Sequence, residues 1–333
     1  MKASRVVWTA MVGLFLVVLS GGTPFCAEAA SGPLKLMLSW VTVDAPTDPY
    51  AVCAHKFKEE IEKASGGKIE VTLHGNAELG GERDVIEGIS LGLVDMAVMT
   101  NAPLGSFVPQ MQVLDLPFIF EDAADAREAL DGPKGKQLIS MLEKVNITTL
   151  GFAEGGFRNT GNNVRPINRP EDFNGIKIRT MESRIYLETF KALGANPVPM
   201  AWPELYTAIA QGVVDAMECP PPVFEQGGFP DVVKYYSLTK HTYSPLPFII
   251  SKQRWESFSA EQQKLISDAA KIAIEFNRST NDQLLEAILN KISERGCQVN
   301  DIESLSPFRE KVTPVYAVFE GTIGKDIIEM FTK

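Results

Sequence analysis

Histidine and cysteine are scarce in this chain of 333 residues, which contains three histidines and four cysteines. The sequence has no HExxH zinc motif, no phosphate-binding glycine loop followed by Lys-Ser or Lys-Thr, and no dinucleotide-binding fingerprint. The cysteines also lack the close spacing of metal ligands. Neither a nucleophile elbow nor a catalytic Cys–His pair is expected. The residues therefore give little support to an enzyme.

Positive charge is in deficit, with 32 basic residues against 42 acidic ones and a formal net charge of −10. Proteins that bind nucleic acid need a basic face, so this balance argues against a nucleic-acid partner. An anionic small molecule would have to be held by local cationic groups, because the overall field of the protein repels it.

Long hydrophobic runs are missing beyond the start of the chain. Lys2 and Arg5 precede an apolar run over residues 6–19, which is shorter than the roughly 20 residues of a membrane span. Ala27-Glu28-Ala29 follows, with small residues where a signal peptidase prefers them. This pattern predicts a secretory signal peptide over residues 1–29, cleaved near Ala29, and export to the periplasm. An uncleaved anchor is the alternative.

Cys53, Cys219 and Cys297 would remain after cleavage. Export permits a disulfide, but an odd count leaves at least one thiol free. The favoured interpretation is that at least two of them are small buried hydrophobic residues.

Apolar periodicity indicates alternating strands and helices in the first part of the chain. Strands are predicted over 34–38, 69–73 and 96–99, and helices over 50–64 and 82–91. This alternation favours an α/β domain with a mainly parallel sheet.

Two weak internal repeats indicate a second, related lobe. Residues 92–97 and 212–217 share the pattern Gly-x-Val-Asp between a helix and an apolar strand. Residues 116–120 and 246–250 both begin Leu-Pro-Phe-Ile. Because both pairs occur in the same order, they favour two lobes over chance similarity.

A long helix is predicted near the end of the chain. Ser259 and Gln262 form a capping box, and no glycine or proline occurs from there to Gly296. At 1.5 Å per residue the helix would be roughly 50 Å long, more than one small lobe. It either breaks near 277–281 or spans both lobes.

Arg179 is the strongest candidate ligand-binding residue on chemical grounds. Ile176, Ile178 and Thr180 alternate with Lys177 and Arg179, so Arg179 would occupy the face opposite the buried one. Its planar guanidinium can donate two parallel hydrogen bonds to a carboxylate or sulfonate. A surface salt bridge is the alternative role.

Several blocks in fixed order resemble the periplasmic receptors of TRAP transporters, of the dicarboxylate-receptor (DctP) type. The blocks are 77–82, 92–97, 113–118, 174–179 and 194–206. The resemblance implies a two-lobed α/β clamshell with hinge strands and a long helix spanning both lobes. It implies lobe 1 over 30–155 plus about 246–280, and lobe 2 over 156–245 plus about 281–333. A permease with a small and a large membrane subunit would be the partner, and no cofactor is expected.

The resemblance also implies a ligand site. Arg179 would grip the ligand carboxylate, Arg158 would assist it, and Trp202 would pack on the ligand unless it only fills the core. Weaker candidates are Ser39, Trp40, Glu82, Thr100, Asn101 and His241. Glu82 could instead serve the start of its helix, and His241 could lie on the surface.

Cys219 departs from the family pattern, because it stands where the family usually has a ligand-binding asparagine. A thiol is a weak hydrogen-bond donor and acceptor. Together with the bulk of Trp202, this predicts a ligand that is small, or apolar away from its acid group. A highly hydroxylated sugar acid is disfavoured, and a sulfonate such as isethionate would suit paired arginines as well as a carboxylate.

Two other functions are compatible with the same clamshell. It could report a ligand to a membrane signalling protein, or it could be a periplasmic enzyme. Neighbouring genes for a small and a large multispan permease would favour transport.

Overall fold

The computed structural model describes residues 32–332. The predicted signal peptide and its cleavage near Ala29 lie outside these residues. None of the helices in residues 32–332 has the length and hydrophobicity of a transmembrane segment. Strands and helices alternate in the first part of the chain, as the apolar periodicity predicts.

Nine strands form one sheet. They are β1 (Leu34–Ser39), β2 (Ile69–His74), β3 (Met96–Val98), β4 (Ile147–Asn162), β5 (Lys177–Thr180), β6 (Asn196–Pro199), β7 (Ala216–Cys219), β8 (Tyr235–Ser251) and β9 (Gln298–Asn300). The strand order is β2-β1-β3-β8-β4-β7-β5-β6, and β9 pairs with β8.

Eleven α-helices surround the sheet within the described residues. They are α1 (Pro49–Ala64), α2 (Glu82–Ser90), α3 (Ala123–Asp131), α4 (Pro133–Ser140), α5 (Arg184–Ala192), α6 (Trp202–Ala210), α7 (Pro221–Gln226), α8 (Lys252–Glu256), α9 (Ala260–Glu294), α10 (Ser306–Ile323) and α11 (Lys325–Thr332). The five predicted elements at the start of the chain agree with β1, α1, β2, α2 and β3 to within two residues.

The sheet is mixed, with five parallel strand pairings and three antiparallel ones. β1 pairs in parallel with β2 and β3, and β5 pairs in parallel with β6 and β7. The centre is antiparallel, because the long strands β4 and β8 pair with each other and separate the two parallel groups. We call the part built around β1–β3 the first lobe and the part built around β5–β7 the second lobe.

The first internal repeat corresponds to equivalent structure in the two lobes. The carboxylate of Asp95 accepts a hydrogen bond from Met37 N in β1 at 2.8 Å, and that of Asp215 accepts one from Lys177 N in β5 at 3.0 Å. Gly92 and Gly212 both adopt positive φ, 74° and 69°, at the end of the preceding helix. The shared glycine and aspartate therefore connect a helix to a parallel strand in each lobe.

The second internal repeat is not structural. Residues 246–250 belong to β8, whereas residues 116–120 follow a short 3₁₀ helix and form no strand. Phe118 has a φ of 57°, which no strand residue adopts. The similarity of the two segments is confined to their sequences.

Hydrophobic residues pack on both faces of the sheet. Met96 and Val98 belong to one buried cluster and Ala97 to the other, as expected for side chains that alternate along a strand. Helices α1, α6, α7 and α9 contribute to the first cluster, and α2, α5, α10 and α11 to the second. The molecule thus has helices on both sides of the sheet.

Helix α9 is unbroken over 35 residues, so the alternative of a break near 277–281 is wrong. Its capping box is present, with Gln262 N donating to Ser259 Oγ at 3.2 Å. Asn277 and Asn281 point at the sheet, where Asn277 Oδ1 accepts from Glu154 N at 2.9 Å and Asn281 Nδ2 donates to Glu154 O at 2.7 Å. Because α9 contacts both α1 and α7, it spans the two lobes.

Candidate functional site

A cleft opens where parallel strands from both lobes end. β1, β3, β5 and β7 all stop at its edge, and ligands of open α/β sheets bind at such carboxyl ends. The empty volume is about 520 Å³, including space open to solvent. The lining residues are Val41, Thr42, Tyr50, Glu82, Thr100 and Pro103 from the first lobe, and Arg158, Arg179, Met181, Glu182, Met200, Ala201, Trp202, Cys219, Pro220 and Val223 from the second.

Arg179 lies in the cleft with part of its guanidinium unpaired. The side chain is 2% exposed, and its Nε donates to Met200 O at 2.9 Å. Its Nη1 is buried and has no hydrogen-bond partner within residues 32–332. Burial lowers the pKa of Arg179, and Glu218 opposes this effect. An unpaired buried cation is costly, so this atom is suited to an anionic ligand.

Arg158 lines the cleft but already has a carboxylate partner. Glu218 Oε1 accepts from Arg158 Nη2 at 2.9 Å, Glu218 Oε2 accepts from Arg158 Nε, and Arg158 Nη1 donates to Ser244 Oγ at 3.3 Å. Burial would lower the pKa of Arg158, but Glu218 holds it well above the usual value. Although burial opposes ionisation of Glu218, Arg158 and His241 lower its pKa to about 2. Arg158 therefore has less free charge to offer than Arg179.

His241 contacts the carboxylate of this ion pair. Its Nε2 lies 3.4 Å from Glu218 Oε2, and its Nδ1 lies 2.8 Å from Thr239 Oγ1. The ring is buried rather than on the surface, and it does not line the cleft. Burial lowers the pKa of His241, which favours the neutral imidazole.

Glu82 enters the cleft from the first lobe as the first residue of α2. One of its oxygens accepts from Thr100 N at 2.6 Å, and the other accepts from Thr100 Oγ1. Burial raises the pKa of Glu82, while Thr100, Arg158 and Arg179 lower it in part. Glu82 therefore begins a helix and also lines the cleft, and its role toward a ligand stays a prediction.

Trp202 and Cys219 complete the second-lobe wall. The Trp202 ring lies 5.9 Å from the Arg179 guanidinium and packs on Phe229 at a centroid distance of 5.5 Å. Cys219 is 1% exposed and free. Burial raises its pKa far above the usual value, so the thiol is neutral. Cys53 and Cys297 are also free and buried.

Three of the weaker first-lobe candidates lie beside the cleft without lining it. Ser39 and Trp40 are fully buried at the end of β1. Asn101 is 1% exposed, and its Nδ2 donates to Met111 O at 2.8 Å. The structure thus brings Arg179, Arg158, Trp202, Cys219, Thr100 and Glu82 together around the cleft.

Sequence reasoning missed several lining residues. Thr42 and Tyr50 are held near the cleft by Asp48, whose Oδ1 accepts from Thr42 Oγ1 at 2.7 Å and from Tyr50 N at 3.0 Å. An Asp-Pro-Tyr helix start was visible in the sequence, but nothing in it showed that the helix start faces the second lobe. Met200 and Met181 were missed because apolar residues beside a motif are usually core residues.

One spacing typical of serine hydrolases was also overlooked. Gly88, Ser90 and Gly92 fit the GxSxG pattern, which needs a strand-to-helix turn to expose its serine. Here Ser90 ends α2, and its Oγ donates to Val145 O at 2.8 Å. The segment is not a nucleophile elbow. Within residues 32–332, no group of three or more His, Cys, Asp or Glu residues could hold a metal ion.

Comparison with known proteins identifies the family. Residues 40–322 match the sequence pattern of DctP, the bacterial extracellular solute-binding proteins of family 7. The C4-dicarboxylate-binding periplasmic protein DctP of Rhodobacter capsulatus is 30% identical over 330 residues, which cover 98% of this chain and 97% of that protein. The 2,3-diketo-L-gulonate-binding periplasmic protein of Escherichia coli is 31% identical over 86% of this chain and 84% of its own length.

Solved structures agree with this assignment. A TRAP periplasmic solute-binding protein from Polaromonas, bound to D-erythronate, has a TM-score of 0.86 and 34% identity, covering 90% of this chain and 98% of that one. The sugar acid-binding protein of Advenella mimigardefordensis, in complex with galactonate, has a TM-score of 0.87 and 32% identity, covering 90% and 97%. The chain therefore belongs to the DctP family of bacterial extracellular solute-binding proteins and is a two-lobed TRAP-type receptor for a small organic anion.

Proposed function

We propose that Arg179 binds the acid group of the ligand in the cleft and that Arg158, Trp202 and Cys219 complete its second-lobe surroundings. The observation that supports this most directly is the buried Nη1 of Arg179, a side chain that lines the cleft, because this atom lacks a partner within the described residues. A carboxylate or sulfonate oxygen would supply that partner. Thr100 and Glu82 would contact the ligand from the first lobe.

The ligand should be small, or apolar away from its acid group. Half of the lining residues are apolar, including Met181, Met200 and Val223. Cys219 offers only a neutral thiol where the family usually has an asparagine. Solved relatives bind the hydroxylated acids D-erythronate and galactonate, so the size of the hydroxylated part is the property to test.

The site operates between two lobes, with lobe 1 over 30–155 plus about 246–280 and lobe 2 over 156–245 plus about 281–333. The full chain is exported through its signal peptide and works in the periplasm. It delivers the ligand to a permease made of a small and a large TRAP subunit. The match to a receptor family, not an enzyme class, supports binding without turnover.

The test is calorimetric titration after a thermal-shift screen of carboxylates and sulfonates that includes D-erythronate and isethionate. Arg179→Ala should weaken binding of the best ligand by about 2–5 kcal/mol, the usual cost of truncating one partner of a buried charge pair. Arg184→Ala is the matched control, since Arg184 is exposed, does not line the cleft and packs on Phe319. Unchanged affinity in the Arg179 variant would remove that residue from the site.

A further inference from the structure

Helices α3 and α9 exchange two reciprocal salt bridges away from the cleft. Arg127 of α3 donates two hydrogen bonds to the carboxylate of Asp282 of α9, at 2.8 and 2.9 Å. In the opposite direction, Arg278 of α9 donates two to the carboxylate of Asp131 of α3, at 2.6 and 2.9 Å. On each helix the arginine and the aspartate are four residues apart, so they lie on one face. Two bidentate pairs, the strongest arrangement of an arginine and a carboxylate, therefore join the helices.

Both arginines also hold strand β4. Arg127 Nη2 and Nε donate to the two carboxylate oxygens of Glu154 at 2.6 and 2.8 Å. Arg278 Nη2 donates to Phe152 O at 2.7 Å. Glu154 is buried, and Tyr243 of β8 donates its hydroxyl to the same carboxylate. We call this set of side chains the Glu154 clamp; it comprises Arg127, Asp131, Glu154, Tyr243, Arg278 and Asp282.

The Glu154 clamp lies where the pairing of β4 with β8 is interrupted. The register shifts between Glu154 and Gly156, and Gly156 has a φ of 92°. Pro245, which faces Glu154 across the pair, has no N–H to donate. The side chains of Asn277 and Asn281 bond to the N–H and C=O of Glu154. Helix α9 therefore supplies backbone hydrogen bonds at a point where the strand ladder is irregular.

An irregular point in strands that extend over both lobes is a point about which the lobes can turn. If β4, β8 and α9 bent independently there, the empty protein would sample many relative orientations of its lobes. Closure on a ligand would then cost more conformational entropy. The clamp restricts this freedom, because one buried carboxylate is bonded to side chains from several elements at once.

We propose that Arg127 is a positioning residue for ligand capture, which acts through Glu154 to hold β4, β8 and α9 together as one hinge. The lobes then close along a single path. Arg127 does not line the cleft and makes no ligand contact. The effect on affinity rests on the proposed function, because closure must bring a ligand held by Arg179 to the first lobe.

Two variants loosen the Glu154 clamp to different extents. Asp282→Asn weakens only the bond to α9, at a carboxylate whose side chain is 56% exposed. Arg127→Met removes the bonds to both carboxylates and keeps a long side chain. Hydrogen exchange of the ligand-free protein, measured by mass spectrometry, should rise together in residues 152–158, 241–246 and 277–283. The rise should be larger in Arg127→Met.

Matched controls make the same chemical changes at exposed positions. Asp268→Asn lies on α9, and the carboxylate of Asp268 pairs with Lys264 of the same helix. Arg83→Met lies on α2, where Arg83 pairs with Glu87 one turn away. Both controls should keep the wild-type exchange pattern in the three hinge segments.

Loosening the clamp should weaken binding without changing selectivity. In Arg127→Met, D-erythronate and every other acid of the screen that binds the wild type should lose affinity by one common factor. A factor of about 2 to 30 is the range for residues that affect a binding site without touching the ligand. Calorimetry should assign the loss to the binding entropy, because the ligand contacts are kept.

The outcomes separate the hinge from the ligand site. Exchange that rises only in α3, or equally over the whole chain, would overturn the proposal, because Arg127 would then serve local or global stability. Unchanged affinity in a variant whose hinge segments exchange faster would also overturn it. If Arg127→Met does not fold, Asp282→Asn decides. Failure of every acid to bind the wild type would contradict the proposed function, and the exchange pattern would then decide the role of Arg127.

Discussion

Arg158 and Arg179 carry the same charge but have different neighbours. Glu218 holds Arg158 through both carboxylate oxygens, whereas Arg179 has only a backbone carbonyl and an aromatic ring beside it. Sequence reasoning treated them as a pair of ligand-binding arginines. The structure distinguishes an arginine that is neutralised within the protein from one that is available to a ligand.

The buried carboxyl of Asp115 should make stability depend on pH. Burial raises its pKa from 3.8 to about 7, so the folded protein keeps a proton that the unfolded chain releases near pH 4. The resulting stabilisation is complete below about pH 4 and is lost as the pH rises through 7. Asp115→Asn, which mimics the protonated acid, should reduce the loss of unfolding free energy between pH 5 and 8, measured by urea denaturation.

Burial also raises the pKa of Asp48 to about 7. Asp115→Asn should therefore remove only part of the dependence of the unfolding free energy on pH. Glu218 does not contribute in this window, since its pKa is about 2 and its stabilisation is lost only in more acidic solution. Asp268→Asn, at an exposed position, should leave the curve unchanged. Parallel curves for the wild type and Asp115→Asn would contradict the assignment.

Short-range pattern was enough to find Arg179 but not its electrostatic surroundings. Alternation of Ile176, Ile178 and Thr180 fixed the face on which Arg179 lies. The partner of Arg158 depends on the antiparallel register of β4 and β7, which aligns Thr160 with Glu218. These residues are far apart in sequence, and no local signal sets that register.

At the scale of elements, helices and parallel strands were predictable because each has its own period and end signals. The central pair β4 and β8 was not, because glycines interrupt β4 and prolines interrupt β8. Gly151 and Gly156 have φ values of 150° and 92°, and the β4–β8 register shifts near each of them. Long strands with such irregularities lack the strict alternation by which strands are recognised.

Asn277 should be the most important polar residue of α9 for stability. It is fully buried, its Oδ1 accepts from Glu154 N, and its Nδ2 donates to Pro49 O at 2.8 Å. Asn277→Ala removes both of these buried hydrogen bonds to the backbone, which should cost about 2–4 kcal/mol of unfolding free energy. Urea denaturation measures the loss.

Gln283→Ala is the control for this prediction, because Gln283 is exposed on the same helix and bonds only to Ser279. Its effect should stay within about 0.5 kcal/mol. An equally small effect of Asn277→Ala would show that water replaces its hydrogen bonds and that α9 is held mainly by apolar packing.

At the scale of the whole molecule, the strands that cross between the lobes in the described chain are β4 and β8. Register shifts at Thr149/Gly151, Glu154/Gly156 and Arg158/Thr160 interrupt the regular pairing of these two strands. The lobes should therefore move about these points while each parallel strand group stays intact.

Ligand binding should make the protein more compact. A ligand can shift the balance toward a closed form only by binding that form more tightly, and contacts from both lobes provide such a difference. Small-angle X-ray scattering of the mature protein should show a smaller radius of gyration with saturating D-erythronate. Arg179→Ala at the same concentration should show no change. An unchanged radius in the wild type, despite calorimetric binding, would mean that the lobes do not move.

The strand order also governs when the polypeptide can fold. β3 completes its pairing with Phe248–Ile250 of β8, about 150 residues later in the chain. A nascent chain that ends before β8 has no strand to join its two halves, and contacts so distant in sequence form slowly. The full set of native pairings thus becomes possible only near the end of synthesis.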